Sequence, residues 1–270
     1  MPAGQRYRIG TQGWNYDAWG GVFYPPGTRS GDRLELYSRV FDTVEVDSTF
    51  YAMPPGDRFR SWYERTPDDF VFTAKLPRDI THDARLVDAE GILFEFCDRA
   101  SLLREKLGAL LVQLPPDMGV SERPAVESFV RGLPREIEFA VEFRDPAWFD
   151  ARTADLLSEN GVAMAVSVGP WLADPAAREV AAAAPGAFQY LRWMGAPRHQ
   201  RLNESIVGQR TEDLGAWAAT IRGAAKPIVY AYFNNDYLGH SPDSARALQQ
   251  WLGITPADPA LLREQGDLFT

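Results

Sequence analysis

An α/β fold built as a single (β/α)8 barrel is the architecture this sequence predicts, on three observations. Eight short apolar runs recur along the 270 residues, from Arg8-Ile9-Gly10-Thr11-Gln12 to Tyr230-Ala231-Tyr232-Phe233-Asn234-Asn235. Each run ends in a polar, charged or Gly/Pro cluster, and a helical pattern separates most neighbouring pairs. No Ser/Gly-rich linker, charge block or low-complexity tract interrupts residues 1–262, which read as one domain. Hydrophobic residues make up 45% of the chain, ample for a large core, and 20 prolines with 22 glycines suit many short loops.

Taken in order, the first strand is expected at Tyr7–Thr11. The loop Gly13–Pro26 after it is too long for a plain βα turn and is crowded with aromatics, so it reads equally as a lid or as an Ω-loop folded onto the barrel top. A second strand follows at Thr43–Asp47, and Phe59, Trp62 and Tyr63 then share a helical face. The third strand is Val71–Lys75. After it Leu93, Phe96, Cys97, Ala100, Leu103 and Leu107 form one helical stripe. The fourth strand is Ala109–Gln113, with Val126, Phe129, Val130 and Leu133 striping the next helix. The fifth and sixth are Phe139–Arg144 and Ala163–Ser167; the Ala-rich segment Ala173–Pro185 beyond them has little periodicity. The seventh is Phe188–Arg192, followed by a stripe of Leu214, Trp217, Ala218 and Ile221. The eighth is Ile228–Asn234. Ser241-Pro242-Asp243 then signals a helix start, with a hydroxyl cap, a proline at the first position and an acid near the positive end.

Charge and composition exclude several classes. A net charge of −9 opposes a general nucleic-acid or anionic-membrane surface. Cys97 is the single cysteine, so no intrachain disulfide and no cysteine-based zinc site is available. Residues 1–6 lack an apolar signal core and no apolar run spans a bilayer, so a cytoplasmic protein is expected.

Strand alternation carries the sharpest argument about chemistry. Val44 and Val46 share one face of the second strand, and Glu45 with Asp47 the other. Val141 and Phe143 oppose Glu142 and Arg144, Leu191 and Trp193 oppose Tyr190 and Arg192, and Val229, Ala231 and Phe233 oppose Tyr230, Tyr232 and Asn234. If the apolar sets face the helices, the interior gathers the acids Glu45, Asp47 and Glu142 with the bases Lys75, Arg144 and Arg192, and Gln113 has compatible parity. Isolated charges there are too costly to bury, so they pair with each other or line a wet pocket. The first arrangement is a structural ion-pair network; the second is a substrate pocket at the active-site end of the barrel.

His82 follows the third strand and is a candidate acid/base. The chain has three histidines, His82, His199 and His240, so no histidine-rich metal cluster is expected; one divalent ion held by carboxylates and water remains open. Neither a Gly-x-Ser-x-Gly elbow nor a Walker loop appears. The segment Arg192–Arg201 is basic and reads as a local anion footprint or as a solvated loop. At the carboxyl end, Gln265-Gly266-Asp267-Leu268-Phe269 resembles the peptide by which bacterial DNA-processing proteins hold the sliding clamp, with Gln265, Leu268 and Phe269 as the docking residues of a tail spanning 263–270.

Together these segments resemble the family called domain of unknown function 72, or YecE-like. The resemblance rests on Ile9–Trp14 with Gly21–Pro25, Phe41–Tyr51, Phe72–Pro77 with Thr81-His82, Leu107–Pro116, Ala140–Arg144 with Trp148, Tyr190–Gly195 and Tyr232–Asn235. It implies a TIM-type barrel and carries no established activity. Barrels such as endonuclease IV and sugar isomerases are similar in architecture, but the histidines of a trinuclear zinc site are missing here. Gln12 stands where the family more often has Ser, and Trp193-Met194 where it often has an aliphatic residue and His. The second departure removes a polar ligand from the barrel mouth.

The functional expectation is an enzyme acting on an anionic, phosphate-bearing substrate, with phosphoester hydrolysis as the first reaction to test. Arg144, Arg192 and Lys75 would hold the anion and Glu45 or Glu142 would handle protons with help from His82. Asp47, Gln113, Tyr232 and Asn234 would contact the substrate, and Trp14 with Tyr16 would close over it. A carbohydrate isomerase or hydrolase and a non-catalytic sliding-clamp adaptor are the alternatives. No organic cofactor is implied.

Overall fold

The computed structural model describes residues 5–194, 207–235, 240–260 and 262. Among the described residues, eight parallel strands alternate with eight α-helices. The strands are β1 (Arg6–Thr11), β2 (Thr43–Val46), β3 (Val71–Lys75), β4 (Leu107–Gln113), β5 (Glu138–Glu142), β6 (Ala163–Val168), β7 (Phe188–Trp193) and β8 (Ile228–Phe233). The helices are α1 (Arg33–Ser38), α2 (Gly56–Glu64), α3 (Glu90–Ala100), α4 (Arg123–Arg131), α5 (Ala151–Glu159), α6 (Asp174–Ala183), α7 (Val207–Ala224) and α8 (Ser241–Trp251). From β2 to β8 each strand pairs with its neighbour in chain order, and β1 pairs with β8, giving a (β/α)8 TIM-type barrel. No helix among the described residues is long and apolar enough to cross a membrane.

The ring closes at the seam between β1 and β2, where the ladder narrows to one bridge, Gln12 to Glu45, with the Gly13 N–H donating to the Glu45 carbonyl at 2.8 Å. A side chain from α1 completes the closure. The Tyr37 hydroxyl accepts from the Thr11 N–H and donates to the Thr43 carbonyl, both at 3.0 Å. Gly10 is what lets the strands come so close, since a Cβ there would lie 2.3 Å from the Thr43 carbonyl oxygen. At the amino end of the seam Arg8 pairs with Asp42 at 2.6 Å.

Two apolar layers follow from strand alternation. Outward side chains such as Val44, Val46, Phe72, Leu110, Val141 and Leu191 join the helices' buried faces in one large cluster. Inside the barrel is a separate cluster. Ala109, Leu111, Ala140, Ala163 and Ala165 on β4–β6 face Phe188, Tyr190, Tyr230 and Tyr232 on β7 and β8. Alanines on one wall and large rings on the other together fill the interior as a packed core. Each ring removes 150–250 Å² from water, worth about 4–6 kcal/mol at most.

The first loop resolves in favour of packing. Trp19, Phe23 and Tyr24 are fully buried, and Phe23 stacks on Phe41 with centroids 5.9 Å apart. Two local expectations change. The stripe assigned to one helix from Leu93 to Leu107 breaks after Ala100. A 3₁₀ turn follows over Ser101–Lys106, Arg104 takes φ 51°, and Leu107 opens β4. The chain has to turn there to enter the sheet, and Lys106 anchors the turn on the carbonyls of Tyr63 (2.6 Å) and Thr66 (2.8 Å). Ser241 does not cap α8. His240 occupies the cap, its Nδ1 lies 2.8 Å from Asp243, and the Ser241 hydroxyl has no partner among the described residues.

Gly10→Ala is expected to lower stability by about 2 kcal/mol or more in urea unfolding, because the seam cannot close around a methyl group. Gly91→Ala, in the first turn of α3 with open space around it, serves as the control and is expected to leave stability unchanged or slightly raised.

Candidate active site

The carboxyl end of the barrel carries a charged site on two levels, a buried floor and a partly exposed rim. The inward parity of β2, β5 and β7 places Glu45, Glu142 and Arg192 at one height, all three buried. Arg192 spends every guanidinium nitrogen on the two acids. Its Nε and Nη2 grip Glu45 at 2.9 and 2.7 Å, and its Nη1 reaches Glu142 at 2.5 Å. The Tyr190 hydroxyl donates to Glu45 at 2.7 Å, and the Ser167 hydroxyl to Glu142 at 2.6 Å. Burial opposes the charge on Arg192, but Glu142 and Glu45 overrule it and hold the guanidinium protonated beyond its ordinary range. Burial likewise opposes the Glu142 carboxylate. Arg192, Arg144 and the Ser167 hydroxyl outweigh that, leaving its pKa at about 2.

The rim comes from residues at or just beyond the strand ends. Arg144 lies two residues past β5, where Nε bonds Glu142 at 3.1 Å and the guanidinium lies over Trp171, 4.0 Å from the ring centroid. Its two terminal nitrogens make no hydrogen bond among the described residues. Lys75 ends β3. Its Nζ sits 3.5 Å from the centroid of the Phe50 ring and, among the described residues, has no hydrogen-bond or ion-pair partner. Burial and then the Arg192 charge push its pKa down from the usual 10.5 to about 7; Arg144 adds to this while Glu142 and Glu45 oppose it. Asp47 begins the loop after β2. Burial and the neighbouring Glu45 raise its carboxyl above the ordinary range, against Arg192 and Lys75.

His82 lies in a π-helical turn, Asp79–Asp83, directly after β3. Its Nδ1 is 2.9 Å from the Thr81 hydroxyl and its ring packs edge-on against Phe50. Burial, Lys75 and Arg144 push its pKa down to about 4, so the ring is neutral near pH 7. The backbone beyond is strained, with Arg85, Leu86 and Asp88 all at positive φ. Arg85 pins this loop to Glu122 at 2.7 Å. Such strain costs of order 1–3 kcal/mol per residue and clusters at functional sites.

Two amides complete the mouth. Asn234, just past β8, donates to the Gln12 side-chain oxygen at 3.0 Å. Gln113 ends β4 opposite Glu142, and its side-chain oxygen is buried with no partner among the described residues. Gly13, at φ +75°, lets the first loop leave β1 past Asp47, whose Oδ1 would lie 3.3 Å from a Cβ there.

Glu45, Asp47, Lys75, Gln113, Glu142, Arg144, Arg192 and Asn234 thus share one end of the barrel, with His82 beside them. Three residues expected to touch substrate lie elsewhere. Tyr232 is fully buried beneath the floor, its hydroxyl 2.8 Å from that of Thr43, because its register on β8 matches Gly10, two residues before Gln12. Trp14 packs edge-on against Trp62 of α2, and the Tyr16 hydroxyl donates to the Gln12 carbonyl at 2.6 Å. Both belong to the packed first loop. Ser167 and Tyr190 were missed as site residues although alternation on β6 and β7 points them inward. Phe50 and Trp171 gave no signal, because both come from loops.

Among the described residues no group of three or more His, Cys, Asp or Glu side chains could hold a metal ion. Residues 195–201 of the basic segment Arg192–Arg201, and the tail with Gln265, Leu268 and Phe269, lie outside the described residues.

Fold and site together define a (β/α)8 barrel with a charged cluster at the carboxyl ends of its strands. The chain belongs to the family described as "Protein of unknown function DUF72", whose model matches residues 8–266. It is 37% identical over 142 residues to the UPF0759 protein YecE of Escherichia coli K12, a match that spans 52% of this chain and 49% of that relative. It is 25% identical over 286 residues to the UPF0759 protein YunF of Bacillus subtilis, spanning 97% and 99% of the two chains. Among solved structures, a DUF72 family protein from Thermotoga maritima superposes with a TM-score of 0.71 at 24% identity, over 92% of this chain and all of the other. A D-psicose 3-epimerase superposes with a TM-score of 0.54 at 13% identity, covering 92% of this chain and 100% of that one, a likeness of fold alone.

Two outcomes test these electrostatics. Arg192→Met leaves two buried carboxylates without a counter-charge and is expected to cost about 3–5 kcal/mol in urea unfolding. Lys75→Met is expected to stabilise the protein. Below pH 7 folded and unfolded chains both carry the ammonium, and the fold bears its full burial cost. From about 7 up to 10.5 the folded amine is neutral while the unfolded chain keeps its proton, so that cost shrinks. The melting temperature of Lys75→Met should therefore exceed that of the parent by about 3 °C or more at pH 6, with a smaller gain at pH 9.

Proposed function

We propose that the barrel mouth is the site of an enzyme acting on a small phosphate-bearing anion, and that Arg144 and Lys75 hold that anion. The observation that carries this reading is the division of the cations into spent and unspent. Arg192 is fully engaged by Glu45 and Glu142, whereas Arg144 keeps two terminal nitrogens and Lys75 keeps its whole amine without an acidic partner among the described residues. A guanidinium fork with two free nitrogens matches two oxygens of a phosphate. Arg192 and Arg144 also repel the Lys75 ammonium, adding to the burial that chiefly lowers its pKa. An oxyanion between Lys75 and Arg144 relieves that repulsion.

Proton transfer in this reading falls to Lys75. Glu142, with a pKa near 2, is a weak base, and Glu45 is clamped by Arg192 and Tyr190. An amine titrating near 7 both takes and gives a proton at neutral pH. For phosphoester hydrolysis it would deprotonate the attacking water; for isomerisation, the carbon beside a carbonyl. Gln113 would orient the substrate through its unpartnered oxygen, and Asn234 through its amide. A sugar-stacking site is less well supported, because Phe50 and Trp171 already carry Lys75 and Arg144 on their faces.

Sulfate is the appropriate probe, since its charge does not change between pH 6 and pH 9. Calorimetric titration should show affinity falling about tenfold or more over that range as Lys75 loses its proton. Arg144→Met should weaken binding at pH 6 by about tenfold or more, and Lys75→Met should abolish the pH dependence. Sulfate affinity that ignores both pH and Arg144→Met would overturn the proposal.

A further inference from the structure

We infer that Lys75 is a covalent centre, whose amine condenses with the carbonyl carbon of a phosphorylated aldehyde or ketone to form an imine. This rests on the reading that Arg144 holds the phosphate, and it names the substrate class. The first support is the chain's choice of basic residue. Of 28 lysines and arginines only three are lysines: Lys75, Lys106 and Lys226. Two of these have evident structural work. Lys106 donates to the carbonyls of Tyr63 and Thr66, and Lys226 donates to the carbonyl of Gly186 at 2.7 Å. Lys75 has no such bond and ends a barrel strand at the mouth. An anion contact alone would be served as well by arginine, which this chain uses everywhere else at the mouth. What lysine offers and arginine does not is a nucleophilic lone pair at neutral pH.

The surroundings favour that lone pair. The amine sits on the apolar face of Phe50, with Arg192 and Arg144 as nearby cations and a neutral His82 beside them. Glu142 and Glu45 oppose this, but their charge is largely engaged by Arg192. Asp47, partly exposed and within electrostatic range of Lys75, holds its proton more tightly than an ordinary aspartate.

The chemistry balances with the amine, the carbonyl compound and one proton from solvent. The neutral Nζ attacks the carbonyl carbon and forms a C–N bond, while the C=O π pair moves to oxygen. A proton passes from nitrogen to that oxygen, giving a carbinolamine. A proton from solvent then reaches the hydroxyl, with Asp47 as the carboxylate placed to relay it, water leaves, and the nitrogen lone pair completes the C=N bond. The products are a protonated imine on Lys75 and one water, the proton having come from solvent. The positive nitrogen then draws electrons from the adjacent C–H or C–C bond, so the implied reaction class is bond making or breaking at the carbon beside the carbonyl.

The test is reductive trapping on the full chain with glyceraldehyde 3-phosphate or glyceraldehyde, sodium cyanoborohydride and peptide mass mapping. The expected result is an adduct on Lys75 at least tenfold above those on Lys226, Lys106 and the terminal amine. Its rate should rise with pH through about 7, and the phosphorylated probe should need at least tenfold less concentration than glyceraldehyde. Arg144→Met should remove that preference while Lys75 is still labelled. An unlabelled Lys75, or labelling no greater than at Lys226, overturns the inference, and it does so without touching the anion reading if sulfate still binds through Arg144. Labelling of Lys75 without preference for the phosphorylated probe upholds the imine and sinks the phosphate assignment.

Discussion

One guanidinium group, that of Arg192, joins three strands that are not neighbours in the sheet. Its grip on Glu45 from β2 and Glu142 from β5 runs across the barrel axis from β7, with every nitrogen engaged and all three residues buried. The desolvation of each such ion costs several kcal/mol, which only near-ideal geometry recovers. The register of three strands must therefore agree to within a fraction of a residue step. A slip of one position on any of them would turn its charged residue toward the helices.

The level below makes that register attainable. Tyr190, Tyr230 and Tyr232 fill one wall of the interior, and the alanines of β4–β6 leave them room on the other. Tyr190 belongs to both levels, since its ring is core and its hydroxyl donates to Glu45. The aromatic layer thereby sets the height of the ionic floor, and the floor sets which charges remain available above it. Because Arg192 engages both glutamates from within, the rim can present the two terminal nitrogens of Arg144 and the amine of Lys75 without acidic partners among the described residues. The pinned, strained loop carrying His82 lies beside them.

Much of this was legible in the residues. Alternation along β2, β5, β7 and β8 placed Glu45, Glu142, Arg192 and Asn234 at one end of the interior, because the two-residue period of a strand leaves no other choice once the apolar face is known. The same rule would have added Ser167 and Tyr190. It failed for Tyr232, since parity says that a side chain points inward but not at what depth; depth depends on the stagger between strands. It was silent on Phe50 and Trp171, which reach Lys75 and Arg144 from loops that have no periodicity to read. The aromatics of the first loop suggested a lid as readily as filler, and only their burial against Tyr37 and Phe41 decides for filler.

The sequence by itself determined the barrel, the order of its strands and the set of charged residues inside it, since hydrophobic period and polar strand ends are local properties of the chain. Which charge faces which partner was a tertiary decision. Arg192 and Arg144 read alike as basic residues at strand ends, yet one is consumed between two carboxylates and the other keeps part of its fork open. That difference arises from distances across the barrel axis, which are set by strand stagger and by the rings packed beneath, and no stretch of sequence encodes them alone.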